Sequence, residues 1–303
     1  MCRGISYAFR MVYFRGVLRD KRALVISDNG KKSLSEERRM GYLLSYHTDT
    51  GRVKNVNQDA LLLQSGCFKG EQIVLAVLCD GMGGLEKGEA ASAAVIRRFA
   101  GWFRKELPVM LKKGLDRLEN SVLSAWTGIL EQEDEAIGIY GRKHGVLMGT
   151  TATAMLFAGG VYYIAHVGDG RVYELDASGD WIWQLTKDQT LAEREVEQGR
   201  LTKQEAESDS RRNVLLQSIG AGSCMGGRPV PSFMRGPVRR GRVYLLCSDG
   251  FRHEISEEEL LRAFHPSAMA GESDMKRACI RLTELNKARG ENDNISVLAV
   301  KAV

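Results

Sequence analysis

From Tyr42 onward, short apolar runs alternate with polar turns, and changes of period mark out the elements. Tyr42–Thr48 predicts a strand, closed by the polar turn Asp49-Thr50-Gly51-Arg52. Ala60–Gln64 predicts a second strand and Gln72–Leu78 a third. The third is short, bounded and rich in Val, Ile and Leu, as buried strands are, and it runs into Asp80-Gly81-Met82-Gly83-Gly84. Residues 86–107 shift to a helical period, with Ala90, Ala94, Val95, Ala100 and Phe103 set among charges. Leu115–Tyr140 predicts another long helix. Neither helix carries a ligand cluster, so both are expected to cover a sheet from outside.

Strand patterns return at Gly149–Phe157, Val161–Val167, Arg171–Leu175 and Trp181–Leu185. Gly168-Asp169-Gly170 between two of them predicts the tight turn of a hairpin. Residues 187–222 break the pattern, with a helix expected over Leu191–Gln198 and a capped helical turn at Thr202 and Glu205. This insert is either a flap over a site or a solvated excursion. Arg242–Cys247 then repeats the earlier theme, an apolar run delivering Ser248-Asp249-Gly250. Ile255–Phe264 predicts a helix with a capping box of Ser256 and Glu259. A helix over Ser273–Arg289 follows, and Asn292-Asp293-Asn294 leads into a last strand, Ile295–Val300.

Composition changes this picture in two places. The net charge of +5 is uneven, because residues 1–39 hold ten Lys/Arg and four acids, +6 in all, which leaves −1 for residues 40–303. Nucleic-acid binding by the body therefore has no charge support. Residues 1–39 are expected to be a basic, poorly ordered extension, or sequence upstream of a start at Met40. A basic arm for an acidic partner or membrane surface is the functional alternative. No apolar run approaches the ~20 residues that span a bilayer. The six cysteines contain no CxxC pair, and a reduced, cytoplasmic setting is expected.

The candidate chemistry lies in four aspartates at predicted strand ends: Asp59, Asp80, Asp249 and Asp293. Antiparallel neighbours would bring such ends to one edge of a sheet. Taken singly, an Asp-Gly is a common turn. Taken together, four carboxylates repel unless hard cations with oxygen ligands, Mg²⁺ or Mn²⁺, neutralise them. Two such ions activate water at neutral pH and clamp a phosphoryl group. No His/Cys cluster suits zinc, and neither a phosphate-binding P-loop nor a G-x-S-x-G elbow is present. His144 and His166 stand alone and read as structural.

The order of motifs carries a resemblance. Gly51–Asp59, Asp80-Gly81-Met82-Gly83-Gly84 with Gly88-Glu89-Ala90-Ala91-Ser92, Gly149-Thr150-Thr151, Val167–Arg171, Ser248-Asp249-Gly250 and Asp293-Asn294 follow one another from Met40 to Val303. In this order the chain resembles the bacterial form of the metal-dependent protein phosphatases, the PPM or type 2C family. The resemblance implies an α+β fold, an α/β/β/α sandwich of two antiparallel sheets flanked by helices. It implies hydrolysis of phosphoserine and phosphothreonine by a water bridging two Mn²⁺ or Mg²⁺ ions, with no phosphoenzyme. By position, Asp80 is similar to the carboxylate bridging both ions, with the Gly81 carbonyl on one of them. Asp249 and Asp293 resemble ligands of the other ion, and Asp59 resembles the acid holding metal-bound waters. Asp169 matches a ligand of a weak third ion, and the insert 187–222 matches the family's variable flap.

Four departures accompany it. Lys54 stands where the family has a phosphate-gripping arginine, which keeps the charge but loses the bidentate fork. His253 stands where many bacterial members carry another Asp for the third ion. Gln58 replaces a common Glu, and Gly170 a usual Ser. Met82, which is normal for bacterial members, leaves no histidine there as general acid, so that the resemblance implies leaving-group protonation by a metal-bound water. Phosphorylated proteins, substrates of a partner serine/threonine kinase, are the expected partners, and a monomer is expected. The alternative is a weakly active relative that binds phosphoproteins as a regulatory module.

Overall fold

The computed structural model describes residues 10–13, 40–82, 87–176, 178, 180–221 and 227–303. Among these, the strands form two antiparallel sheets. In spatial order the first contains β1 (Arg10–Tyr13), β3 (Ala60–Phe68), β4 (Glu71–Cys79), β5 (Ala152–Ala158), β6 (Val161–Val167) and β9 (Ser232–Pro237). The second contains β2 (Tyr42–Asp49), β11 (Ile295–Ala302), β10 (Val243–Cys247), β7 (Arg171–Asp176) and β8 (Trp181–Gln184).

The period of two explains how the sheets stack. In β4, Val74, Ala76 and Leu78 point into the space between the sheets, where they meet Tyr244 and Leu246 of β10 and Leu298 and Val300 of β11. Leu75, Val77 and Cys79 point the other way, onto α1 (Gly88–Lys105) and α3 (Leu118–His144). Both faces are covered, so the run has no polar positions to reveal its alternation. Outside the first sheet the core is aromatic: Trp126 packs edge-on to Trp102 at 5.5 Å and to Phe99 at 5.6 Å. The second sheet is covered by α6 (Asp249–Arg252), α7 (Glu257–Phe264) and α8 (Glu272–Arg289). The helical run expected over residues 86–107 ends at Lys105, because Pro108 opens a separate short helix, α2 (Leu107–Lys113).

The α/β/β/α sandwich is as expected, but the hairpin at Gly168-Asp169-Gly170 is not. β6 pairs with β5 and β9 in the first sheet, whereas β7 pairs with β10 and β8 in the second. The three residues cross between sheets. Gly168 makes the crossing possible: its φ is +111°, and a Cβ there would lie 2.5 Å from the Thr151 methyl. Strand β9 has no counterpart in the sequence reading, because it is a half-exposed edge strand ending at Pro237. Within the basic extension, Arg10–Tyr13 pairs with β3 from Leu62 to Ser65. The rest of the basic extension lies outside the described residues.

The insert leaves the second sheet after β8 and returns at β9. It holds α4 (Leu191–Glu197), capped by Thr190, and α5 (Lys203–Ser208), capped by the expected Thr202–Glu205 box. Its far end is tied to the first sheet, where Ile219 and Thr150 exchange backbone hydrogen bonds of 2.9 and 3.0 Å.

Candidate active site

Two carboxylates from each sheet meet at one end of the sandwich. Asp59 precedes β3 and Asp80 follows β4, neighbours in the first sheet. Asp249 follows β10 and Asp293 precedes β11, neighbours in the second. The cluster is thus built across two sheets, not along one edge as the sequence suggested. Asp169 joins it from the crossing between the sheets.

Main-chain contacts hold each acid in place. The Asp80 N–H donates to the Thr151 hydroxyl at 3.0 Å, and the Asp80 carbonyl accepts from Thr151 N–H at 2.8 Å and the Thr150 hydroxyl at 2.9 Å. Gly81 N–H donates to the Gln58 carbonyl at 3.1 Å, which also accepts from the Ser92 hydroxyl at 2.6 Å. A Cβ on Gly81 would lie 2.5 Å from the Gly88 carbonyl, so glycine is required by close approach. Asp249 opens α6 and accepts from Gly250 N–H at 2.6 Å. Asp293 accepts from Asn294 N–H at 2.8 Å, and Lys54 Nζ sits 3.1 Å from the same oxygen. Lys54 thus lies half-exposed at the rim of the carboxylate cluster.

Burial and mutual repulsion drive three of these carboxyls, Asp59, Asp80 and Asp169, toward the protonated form. Asp59 is raised first by burial, then by Asp249 and Asp293, with Ser296 and Asp80 acting in the opposite sense. Asp80 is raised by burial and by Asp59, Asp249, Asp169 and Asp293. Asp169 is raised by burial and Asp249, against the pull of Arg252. Neither carboxylate oxygen of Asp59 finds a hydrogen-bond partner, although both are buried. Such orphaned oxygens among like charges require cations or protons.

The donor set fits Mg²⁺ or Mn²⁺, being hard oxygen ligands throughout. Among the described residues, no three His, Cys, Asp or Glu side chains by themselves make up the ligand set of one ion. An ion here would therefore complete its coordination with water and main-chain oxygen, as hard divalent cations commonly do.

Two further groups pair in ways the sequence did not show, although His253 and Arg171 were named in it. Arg171 grips both carboxylate oxygens of Asp188, Nε at 2.9 and 3.2 Å and Nη2 at 2.8 Å, and Arg252 Nη2 donates to the same carboxylate at 3.1 Å. Burial pulls Asp188 upward, but Arg252 and Arg171 hold its carboxyl below the usual range. Arg252 also reaches the Asp169 carbonyl, 3.4 Å away. His253 lies between Glu291, at 3.1 Å, and Asp249, at 3.6 Å. Glu291 in turn accepts from the N–H groups of Asn292 and Asp293 at 2.7 and 2.8 Å. Only the apolar-run-then-acid pattern marked this corner in the sequence; the arginine pairing depends on a fold that brings positions 171, 188 and 252 together.

A family model described as protein phosphatase 2C matches residues 48–286. The chain belongs to this family. Its curated relatives include the serine/threonine protein phosphatase PstP of Mycobacterium tuberculosis, 32% identical over 84% of this chain and 44% of PstP. The chain thus spans less than half of that protein. The serine/threonine phosphatase stp of Listeria innocua is 28% identical over 84% of this chain and 94% of its own length. Among solved structures, M. tuberculosis PstP superposes with a TM-score of 0.68 at 30% identity, covering 86% of this chain and 98% of that one. The S. agalactiae serine/threonine phosphatase gives 0.72 at 25% identity, over 86% and 99%. The catalytic domain of PstP has also been solved in complex with two manganese ions. The relatives are hydrolases of phosphorylated serine and threonine by name, and the two-sheet architecture is theirs.

Proposed function

We propose that this chain is a metal-dependent protein serine/threonine phosphatase. The observation that carries the reading is the buried cluster of Asp59, Asp80, Asp169, Asp249 and Asp293, with orphaned oxygens on Asp59 and Lys54 at its rim, in a chain of this family. Asp80 with the Gly81 carbonyl, Asp249 and Asp293 are the residues that would hold two Mn²⁺ or Mg²⁺ ions, and Asp169 those of a weaker third. When bound, the ions supply an activated water and neutralise charge on the phosphoryl group.

The chain's own residues do the rest. Asp59 accepts hydrogen bonds from water in the cluster and so orients it, since its two oxygens have no protein donor. Lys54 binds the phosphate oxygens as a point charge; its ammonium is already held at the cluster by Asp293. Thr150 and Thr151 fix the Asp80 main chain, so that its carboxylate cannot swing away from its neighbours. Gly81 and Gly250 keep the backbone close enough for the two pairs of acids to meet.

The expected substrates are phosphorylated proteins made by a partner serine/threonine kinase, and the expected active form is a monomer. Among the described residues no helix is long and apolar enough to cross a membrane. The test is hydrolysis of p-nitrophenyl phosphate and of a phosphothreonine peptide with Mn²⁺, with Mg²⁺ and with chelator. Turnover that requires the ion and disappears in Asp249→Ala supports the reading. Full turnover in chelator, or in Asp249→Ala, overturns it.

A further inference from the structure

The geometry points to Asn294 as the residue that positions Lys54, by suspending both ends of the loop that carries it. This rests on the reading of Lys54 as the phosphate-binding cation. Asn294 is 2% exposed, at the turn that opens β11. Its Oδ1 accepts from Gln58 N–H at 2.8 Å. Its Nδ2 donates to the Thr50 carbonyl at 2.9 Å and to the Val56 carbonyl at 3.2 Å. All three partners lie in residues 50–58, with Lys54 between them. That segment contains no helix or strand, and among the described residues no main-chain to main-chain hydrogen bond involves positions 52–56. Asn57 Nδ2 donates to the Thr48 hydroxyl at 2.7 Å and Arg52 to the Lys287 carbonyl at 3.0 Å, but among the described residues the Asn294 amide alone bonds the loop's main chain at both ends, as a ladder would elsewhere.

A second set of contacts converges on the same turn. Gly51, at the start of the loop, has φ +79°, and a Cβ there would lie 2.2 Å from the Asp293 carbonyl. Lys54 Nζ, at the middle of the loop, meets the Asp293 carboxylate at 3.1 Å. Asn294 N–H donates to that carboxylate at 2.8 Å. The dipeptide Asp293-Asn294 therefore holds the two ends of the loop and faces the cation at its centre. The chemistry requires an amide: two carbonyls and one N–H match its two donors and its acceptor. An aspartate has the same shape but would turn a carboxylate oxygen toward both carbonyls. Lys54 has a long, flexible stem, so its ammonium is placed only as well as the loop beneath it. Asn294 touches no substrate and acts through Lys54.

The test uses the full chain and four variants: Lys54→Ala, Asn294→Asp, their double, and Asn294→Ser as the milder truncation should the charged variant fail to fold. Three quantities are read: hydrogen exchange at the Gln58 amide, whose N–H donates to Asn294, KM and kcat for a phosphothreonine peptide, and Mn²⁺ affinity by titration calorimetry. Replacing Asn294 is expected to speed exchange at the Gln58 amide at least tenfold. It is expected to raise KM about tenfold while leaving Mn²⁺ affinity within threefold, and to add nothing to KM once Lys54 is alanine. Equal KM increases with and without Lys54 overturn the proposal, since a merely structural role gives that result. A fall in Mn²⁺ affinity as large as the rise in KM also overturns it, because Asn294 would then act through Asp293. An unchanged KM in Lys54→Ala overturns it too. In that case faster exchange at the Gln58 amide in the Asn294 variants shows that the reading of Lys54 failed and the tether did not.

Discussion

Acid should loosen the root of the insert through His166. The side chain is fully buried, with Nδ1 3.0 Å from the Thr153 hydroxyl and Nε2 3.1 Å from the Lys187 carbonyl. A carbonyl only accepts, so Nε2 carries the proton and Nδ1 accepts from Thr153. Burial pushes the imidazole down to about 4, against the weaker upward pull of Asp188 and of hydrogen bonds at Gly168 and Lys187. Between about pH 6.5 and pH 4 the unfolded chain therefore binds a proton here that the folded chain does not. Stability rises with pH across that window and is lost as pH falls through it. A depression from 6.5 to about 4 corresponds to about 3 kcal/mol in full, of which about 2–3 kcal/mol is lost between pH 7 and pH 4.5. The assay is urea unfolding of wild type and His166→Gln at several pH values from 7 to 4.5. Other groups titrate in both proteins, so the informative quantity is the difference between the two profiles. The variant should start less stable and converge on wild type as the solution is acidified. Profiles that stay parallel within about 0.5 kcal/mol would refute the account of His166 as a neutral, buried tether.

Three other outcomes are expected. Gly250→Ala places a methyl 2.2 Å from the Asn294 carbonyl and should cost about 1–3 kcal/mol, whereas Gly128→Ala in α3 meets nothing within 4 Å and should stabilise by up to about 1 kcal/mol; thermal melts of both decide it, and a shift of the same sign in each would count against the packing described. Lys54→Ala should raise KM for a phosphopeptide at least tenfold, and Lys54→Arg should lower it below wild type by restoring a bidentate fork; KM measurements showing Arg no better than Lys would mean that the loop does not present a fork to phosphate. Mn²⁺ at 100 times its dissociation constant should stabilise wild type by about 2.7 kcal/mol, and Asp249→Ala should abolish the shift, read as melting temperature with and without the ion.

The strands from β2 to β8, and β10 and β11, were legible because each is a bounded apolar run, and the capping boxes at Thr202 and Ser256 because their chemistry is local. The assignment of strands to sheets was not legible. Val161–Val167 and Arg171–Asp176 lie at the middle of a four-layer molecule, buried on both faces, so nothing in their composition says which sheet each joins. A three-residue link with two glycines then looks like a hairpin, when Gly168 in fact serves the crossing. The site divides in the same way. Asp80 and Asp249 announced themselves by ending apolar runs. Arg252 and Asp188 did not, because an arginine and an aspartate 64 positions apart carry no periodic signature, and only their burial makes the pairing compulsory.

That crossing bears on how the site stays assembled. Asp59 and Asp80 belong to one sheet and Asp249 and Asp293 to the other, so their separation is set by how the sheets stack and not by any single strand. The carboxylates repel, and the metal-free protein must hold them together against that repulsion. What opposes it is the apolar layer between the sheets, where Tyr244 of the second sheet meets Phe157 at 5.2 Å and Tyr162 at 5.7 Å from the first. Aromatic contacts of this kind contribute about 0.5–1.5 kcal/mol each beyond the area they bury. Tyr244 also donates to Glu174 at 3.1 Å, and Glu174 pairs with Arg242, so the ring is fixed at both its face and its hydroxyl. A side chain on the β10 strand that delivers Asp249 thereby braces the sheet that delivers Asp80. Loosening this layer should weaken metal binding before it unfolds the chain, because the acids sit at the open end of the stack, where a small change in sheet separation acts on all of them at once.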